Sequence, residues 1–189
     1  MAFEGARELT DPRTMRALAH PVRLALLEAL THHGALTATE AAEHVGESPS
    51  NCSFHLRQLA KYGFVEEAEG GAGRRRPWRA VTIGTRFTDV HEDTETALAA
   101  NALAQVVYER LFARARTGLA ARHLLPDEWR AVTGTNDMTL YVTPEEMKAL
   151  DDEILEKLWR FRERIADPSK RPEGSRPLQL AMFLYPVDP

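Results

Sequence analysis

The sequence predicts a mainly α (α+β) chain, and three observations carry that reading. Two cap-and-proline pairs, Asp11-Pro12 and Ser48-Pro49, open short amphipathic helices. A glycine-rich tip at Gly70-Gly71-Ala72-Gly73 parts two short apolar runs, as in a hairpin. Beyond it, an apolar stripe at helical spacing persists from about Glu92 to Arg122.

Taken in order, Asp11-Pro12 starts a helix running to about Ala19. His20-Pro21 starts a second, with Val22, Leu26, Leu27 and Leu30 apolar and a break near Gly34. Thr37 begins a third, with Ala41, Ala42 and Val45 facing inward. Ser48-Pro49 begins a fourth that ends near Tyr62, where Gly63 suits a left-handed stop. Helix, short break and capped helix are the parts of a helix-turn-helix. The hairpin then joins a strand near Val65 to Glu69 to a return near Trp78 to Ile83, with Trp78 and Val81 packing it on the helices. The order is that of a winged helix-turn-helix over residues 10–85.

Residues 86–122 form one long helix. Ala100, Leu103, Ala104, Val107 and Leu111 share a face, which Leu98, Val106 and Phe112 broaden. Its alanines suit close approach by a second helix, either in the same domain or in a second copy. Residues 123–189 read as a strand-helix-strand unit. Thr139-Leu140-Tyr141-Val142 is the first strand, and a helix from Thr143-Pro144-Glu145-Glu146 runs to about Ile165. Leu178 to Tyr185 is a second strand, apolar on both faces, that wants cover from another subunit or around a small apolar molecule.

Composition sets bounds on function. The chain has 189 residues, 43% hydrophobic, and one cysteine. No apolar run approaches the roughly 20 residues that span a bilayer. The opening Met1-Ala2-Phe3-Glu4-Gly5 lacks the regions of a secretion signal. A lone cysteine forms no internal disulfide, which fits a cytoplasmic setting. Net charge is −4, yet through Ile83 there are 10 basic against 10 acidic residues, and the remainder holds 14 against 18. From Arg57 to Arg79, six basic residues stand against three acidic ones. Phosphate binding depends on such local cations, so the charge permits a double-stranded DNA partner.

The fourth helix supplies the candidate base-reading residues. Ser50, Asn51, Ser53 and Phe54 occupy its first turns, with Arg57 one turn on, and His55 and the capping Ser48 join the set. Leu56, Leu59 and Cys52 belong to the core. Arg74, Arg75 and Arg76 at the hairpin tip suit phosphates or a minor groove.

These residues resemble a known group. Leu18-Ala19-His20-Pro21-Val22-Arg23-Leu24-Ala25-Leu26-Leu27 is similar to the opening motif of ArsR-type winged-helix regulators. Ser53-Phe54-His55-Leu56-Arg57-Gln58-Leu59 with Tyr62-Gly63-Phe64-Val65 resembles their recognition segment. The resemblance covers residues 10–85 and implies a dimeric, usually repressing DNA-binding protein whose grip changes with a signal. Where metal-sensing relatives carry a second ligand pair after Asp-x-His, this chain has Ala102 and Gln105 following Asp89-Val90-His91. Neither residue completes a transition-metal site, so no metal or other cofactor is expected. His32-His33 reads as a solvated pair at a helix end. No phosphate-binding glycine loop, nucleophile elbow or paired-histidine zinc helix is present, which argues against an enzyme.

Two functional readings stand. One is a homodimeric transcriptional repressor on an inverted repeat, its last third sensing a small apolar effector or reinforcing the dimer. The other is a protein-interaction module that uses the winged helix and final strand to dock a protein partner.

Overall fold

The computed structural model describes residues 6–70, 76–81, 84–88 and 91–187. A short strand, β1 (Ala6–Glu8), precedes α1 (Pro12–Leu18). The Asp11 carboxylate accepts from the Thr14 amide at 2.8 Å and its hydroxyl at 2.6 Å, while Pro12 fills a position whose N–H would go unbonded. His20 Nδ1 caps α2 (Pro21–His33) by accepting from the Val22 amide at 3.2 Å. In α3 (Ala38–Val45), Thr37 and Glu40 satisfy each other's backbone amides. Ser48 Oγ accepts from the Asn51 amide at 3.2 Å and opens α4 (Pro49–Lys61). Gly46, at φ 74°, ends α3 in the left-handed region that a side chain would strain.

The four helices close on one apolar core. Met15 and Leu18 of α1, Leu26 and Leu30 of α2, and Leu56 and Leu59 of α4 lose nearly all contact with solvent. Burying each such side chain contributes about 1.5–3 kcal/mol before cavity effects. Behind α4 stands a two-stranded wing. In it, β2 (Val65–Glu67) pairs antiparallel with β3 (Trp78–Ala80), register Val65↔Ala80, Glu66↔Arg79 and Glu67↔Trp78. Leu36 adds a further rung by exchanging both backbone hydrogen bonds with Trp78. Trp78 packs on the core as expected, but Val81 does not: it stands 48% exposed, because alternation along the strand puts it on the outer side with Arg79, opposite Trp78 and Ala80. A last strand, β4 (Gly84–Arg86), lies parallel to β1 and ties the chain's start to the wing's exit.

The long helix is α5 (Thr94–Ala120), capped by Asp93, whose Oδ1 accepts from the Thr96 amide at 2.8 Å. Its first turns bury Ala99, Ala100, Leu103 and Ala104, and α1 is the helix packed most closely on α5. Leu98 points outward. Glu28 of α2 clasps Arg110 at 2.5 Å and Arg114 at 2.6 Å.

The remainder departs from the sequence expectation. A 3-10 turn (Ala121–Leu124), α6 (Asp127–Val132), α7 (Pro144–Trp159), α8 (Arg162–Ala166) and a second 3-10 turn (Pro168–Lys170) follow one another. The capping box at Thr143 and Glu146 is present as expected. The helix beyond it stops at Trp159 instead of reaching Ile165, and α8 restarts after Phe161. Neither expected strand forms: residues 139–142 and 178–187 are without ladder partners. Alternating apolarity requires a neighbouring strand to become a sheet, and none is adjacent. The C-terminal run instead lies along α5, where Phe183 stacks on Phe112 at 5.1 Å and meets Tyr108 edge-on at 5.9 Å. Among the described residues, every buried apolar side chain falls between Leu9 and Ala104. No described helix is long and apolar enough to cross a membrane.

Candidate nucleic-acid interface

On α4 the periodicity of 3.6 residues sorts the side chains into two faces. Cys52, Leu56 and Leu59 are wholly enclosed and anchor the helix to the core. Opposite them, Ser50, Phe54, Arg57 and Lys61 form one exposed row, with Phe54 half exposed at 50%. Asn51 and Ser53 flank that row and are half-buried. Of the expected base-reading residues, Ser48, Ser50, Asn51, Ser53, Phe54 and Arg57 therefore gather at one end and edge of the helix. Lys61 completes the row and was missed, although its spacing from Ser50, Phe54 and Arg57 is that of a single face.

His55 is a correction. It is only 6% exposed, turned inward against His20 at 4.4 Å between ring centroids, so it cannot reach a base edge. Its Nδ1 has no hydrogen-bond partner among the described residues. Burial, then the neighbouring His20 and Arg23 charges, lower its pKa, and burial followed by Arg23 does the same for His20. Cys52 is enclosed as expected, and burial, then Glu47, raise its pKa, which disfavours the reactive thiolate.

Several side chains at this edge are held in advance. Ser48 and Ser50 hydroxyls lie 3.1 Å apart, and Arg57 Nε donates to the Ser53 carbonyl at 3.1 Å. The Asn51 amide donates to the Glu47 carboxylate at 2.8 Å. Glu47 is the acidic residue at an otherwise polar and cationic edge, and it too went unremarked in the sequence.

The wing adds charge. Arg79 meets Glu66 at 2.6 Å, and Arg76 meets Glu67 at 2.6 Å. Both pairs are well exposed and screened by water, so a phosphate competes readily for either arginine. Arg74 and Arg75 lie outside the described residues, as do Gly71, Ala72, Gly73, Ile83, Asp89 and Val90. His91 has its Nε2 2.8 Å from the Thr88 carbonyl. His33 stacks on His44 at 3.9 Å, both exposed.

The arrangement can present a helix edge of hydroxyl, amide and guanidinium groups to a groove, with arginines on a hairpin beside it. No curated protein matches the chain. Residues 18–68, from the end of α1 to just beyond β2, match the family model of a helix-turn-helix domain. The chain thus carries a helix-turn-helix domain, the unit with which DNA-binding regulators read a duplex.

Proposed function

We propose that the protein is a sequence-specific, homodimeric transcriptional repressor of ArsR type that reads an inverted-repeat operator and answers to a signal other than a metal. It is a binding protein, not an enzyme. The observation that carries the reading is the division of α4: an apolar back locked into the core, and the exposed Ser50, Phe54, Arg57 and Lys61 in front. A recognition helix needs both, one to fix its angle and one to meet bases and phosphates.

The area left open supports the dimer. The chain exposes 13517 Å², whereas a compact monomer of 21.2 kDa would expose about 9,100 Å². Counted over two copies the excess is about 8,900 Å², more than the about 2,000–5,000 Å² that an obligate dimer buries, so a dimer contact would account for part of it. Phe112, Leu119, Leu124 and the 178–187 run contribute to it. The aromatic residues of the last third are spread out: Phe183 packs on α5, Trp129 lies under Arg176, and Tyr141 stands 97% exposed. That spread favours a second copy over a small molecule as the main cover.

Selection of bound duplexes from a random pool by the purified full chain tests the reading. Enrichment of an inverted repeat with half-site centres about 34 Å apart, or a multiple, is expected. Failure to enrich any sequence overturns it, and saturable capture of a protein without duplex retardation would favour the interaction-module alternative.

A further inference from the structure

Beside the recognition helix, and not part of its base-reading edge, lies a shallow cavity of about 280 Å³. It is lined by Arg13, Arg16 and Ala17 of α1, Arg23 of α2, Gln58 of α4 and Tyr62 at its C-terminal cap. Three arginines from two helices line it. Glu95 pairs with Arg16. Among the described residues, no carboxylate stands within ion-pair distance of Arg13 or Arg23. Arg23 donates to the Arg16 carbonyl at 3.3 Å, but its Nε is enclosed and unbonded. Arg23 is half-buried, and burial lowers its pKa. A cluster of like charges around an unsatisfied donor is costly unless an anion enters.

We propose that this cavity is a phosphate-oxyanion site and that its occupant is a backbone phosphate of the bound duplex. The inference rests on the DNA-binding reading above and adds a contact outside the recognition edge and the wing. Arginine's planar fork suits phosphate oxygens, and Gln58 and Tyr62 supply neutral donors. Position favours DNA over a free phosphate ester. Gln58 follows the reading turns on the same helix and Tyr62 caps its end, with Gln58 eight residues beyond Ser50, about 12 Å along the axis. The major groove is itself about 12 Å wide, so a helix with its first turns at the bases brings this flank to the phosphate rim. The site sits where α1, α2 and α4 meet, and a phosphate there would fix the angle of α4 in the groove.

The test uses the full chain and the variants Arg13→Gln and Arg23→Gln, with Arg23→Lys as a folding-conservative third, each checked by thermal unfolding. Affinity is measured against salt on the selected duplex and on an unrelated one. Arg13→Gln and Arg23→Gln should each lose about tenfold on both duplexes, with the salt slope reduced by about one and sequence preference kept, whereas Arg23→Lys, which retains the charge, should keep the slope. In a second arm, inorganic phosphate is titrated into the DNA-free protein while the Arg23 Nε–H resonance is followed by NMR. An unchanged salt slope in the glutamine variants with saturable movement of that resonance overturns the backbone assignment in favour of a small phosphate ester. An unchanged slope with a still resonance overturns the site altogether. If the wild-type chain binds no duplex, the DNA reading falls by itself, and the phosphate titration still decides whether the cavity holds an anion.

Discussion

His20 and His55 face each other across the α2–α4 junction, their ring centroids 4.4 Å apart and their planes tilted by 38°. One caps α2 and the other is buried in α4, so a proton gained by either ring would place a charge at the junction of these helices. Arg23, whose charge bears on both rings, stands on the α2 side and Glu47 at the head of α4.

Acidification should therefore weaken the fold. Both histidines have folded pKa values below the ordinary 6.5, as do His32 and His33, with burial the largest cause in each. The unfolded chain then binds more protons than the native one just below pH 6.5, and stability rises with pH there. Stability is fully present above about pH 6.5 and is lost as pH falls through the lowered folded values. Thermal unfolding of the wild type from pH 8 to 5 should show this, and His20→Asn, which keeps a capping side chain, should shallow the dependence. A melting temperature flat over that range would refute the link.

Replacing Ser48 by alanine should cost about 1 kcal/mol, because the Asn51 amide loses its acceptor. Denaturant titration measures it, and Ser48→Asp should recover most of the loss. An unaltered midpoint for the alanine variant would show that water replaces the cap without cost.

Two neighbouring substitutions should act in opposite directions on DNA. Asn51→Ala should relax discrimination at one base-pair position by about 1–3 kcal/mol. Glu47→Gln frees the Asn51 amide and removes a negative charge from the DNA-facing edge, so affinity for any duplex should rise about two- to threefold. Competition binding with single-position variants of the selected duplex separates these effects. A Glu47→Gln protein that binds more weakly would mean the 2.8 Å contact orients Asn51 instead of restraining it.

The two ends of α5 should respond differently to substitution. Leu103 is fully enclosed, and its replacement by alanine should destabilise the fold by about 2–5 kcal/mol. Phe112 is 56% exposed, so Phe112→Glu should shift the mass in solution from two copies to one, and unfolding should then lose its dependence on protein concentration. Light scattering reads the mass. A dimer that survives Phe112→Glu would place the contact elsewhere.

Local chemistry explains which parts were legible in the sequence. Asp11-Pro12, His20-Pro21, Ser48-Pro49 and Thr143-Pro144 each mark a helix start that the structure reproduces, because a cap and a fixed φ act within a few residues. The enclosed face of α4 was readable from Cys52, Leu56 and Leu59 for the same reason. Pairing over a distance was not. The parallel contact of Ala6–Glu8 with Gly84–Arg86 has no local signature, and the apolar alternation after Leu178 promised a ladder that only a neighbouring strand could supply. His55 lies within the segment that resembles the family's recognition motif, but it falls on the enclosed side of α4, against His20. The arginine cavity draws on three helices, and no spacing along the chain foretells it.

The 27-residue span of α5 has a mechanical corollary. It is a rod about 40 Å long, cemented to α1 at one end and carrying aromatic rings at the other. If two copies join through those rings, the gap between their reading heads is set by the angle of each rod. A swing of roughly 5° carries a head about 3.5 Å, close to the rise of one base pair. Small repacking around Tyr108, Phe112 and Phe183 would then be enough to put two heads in or out of step with their half-sites.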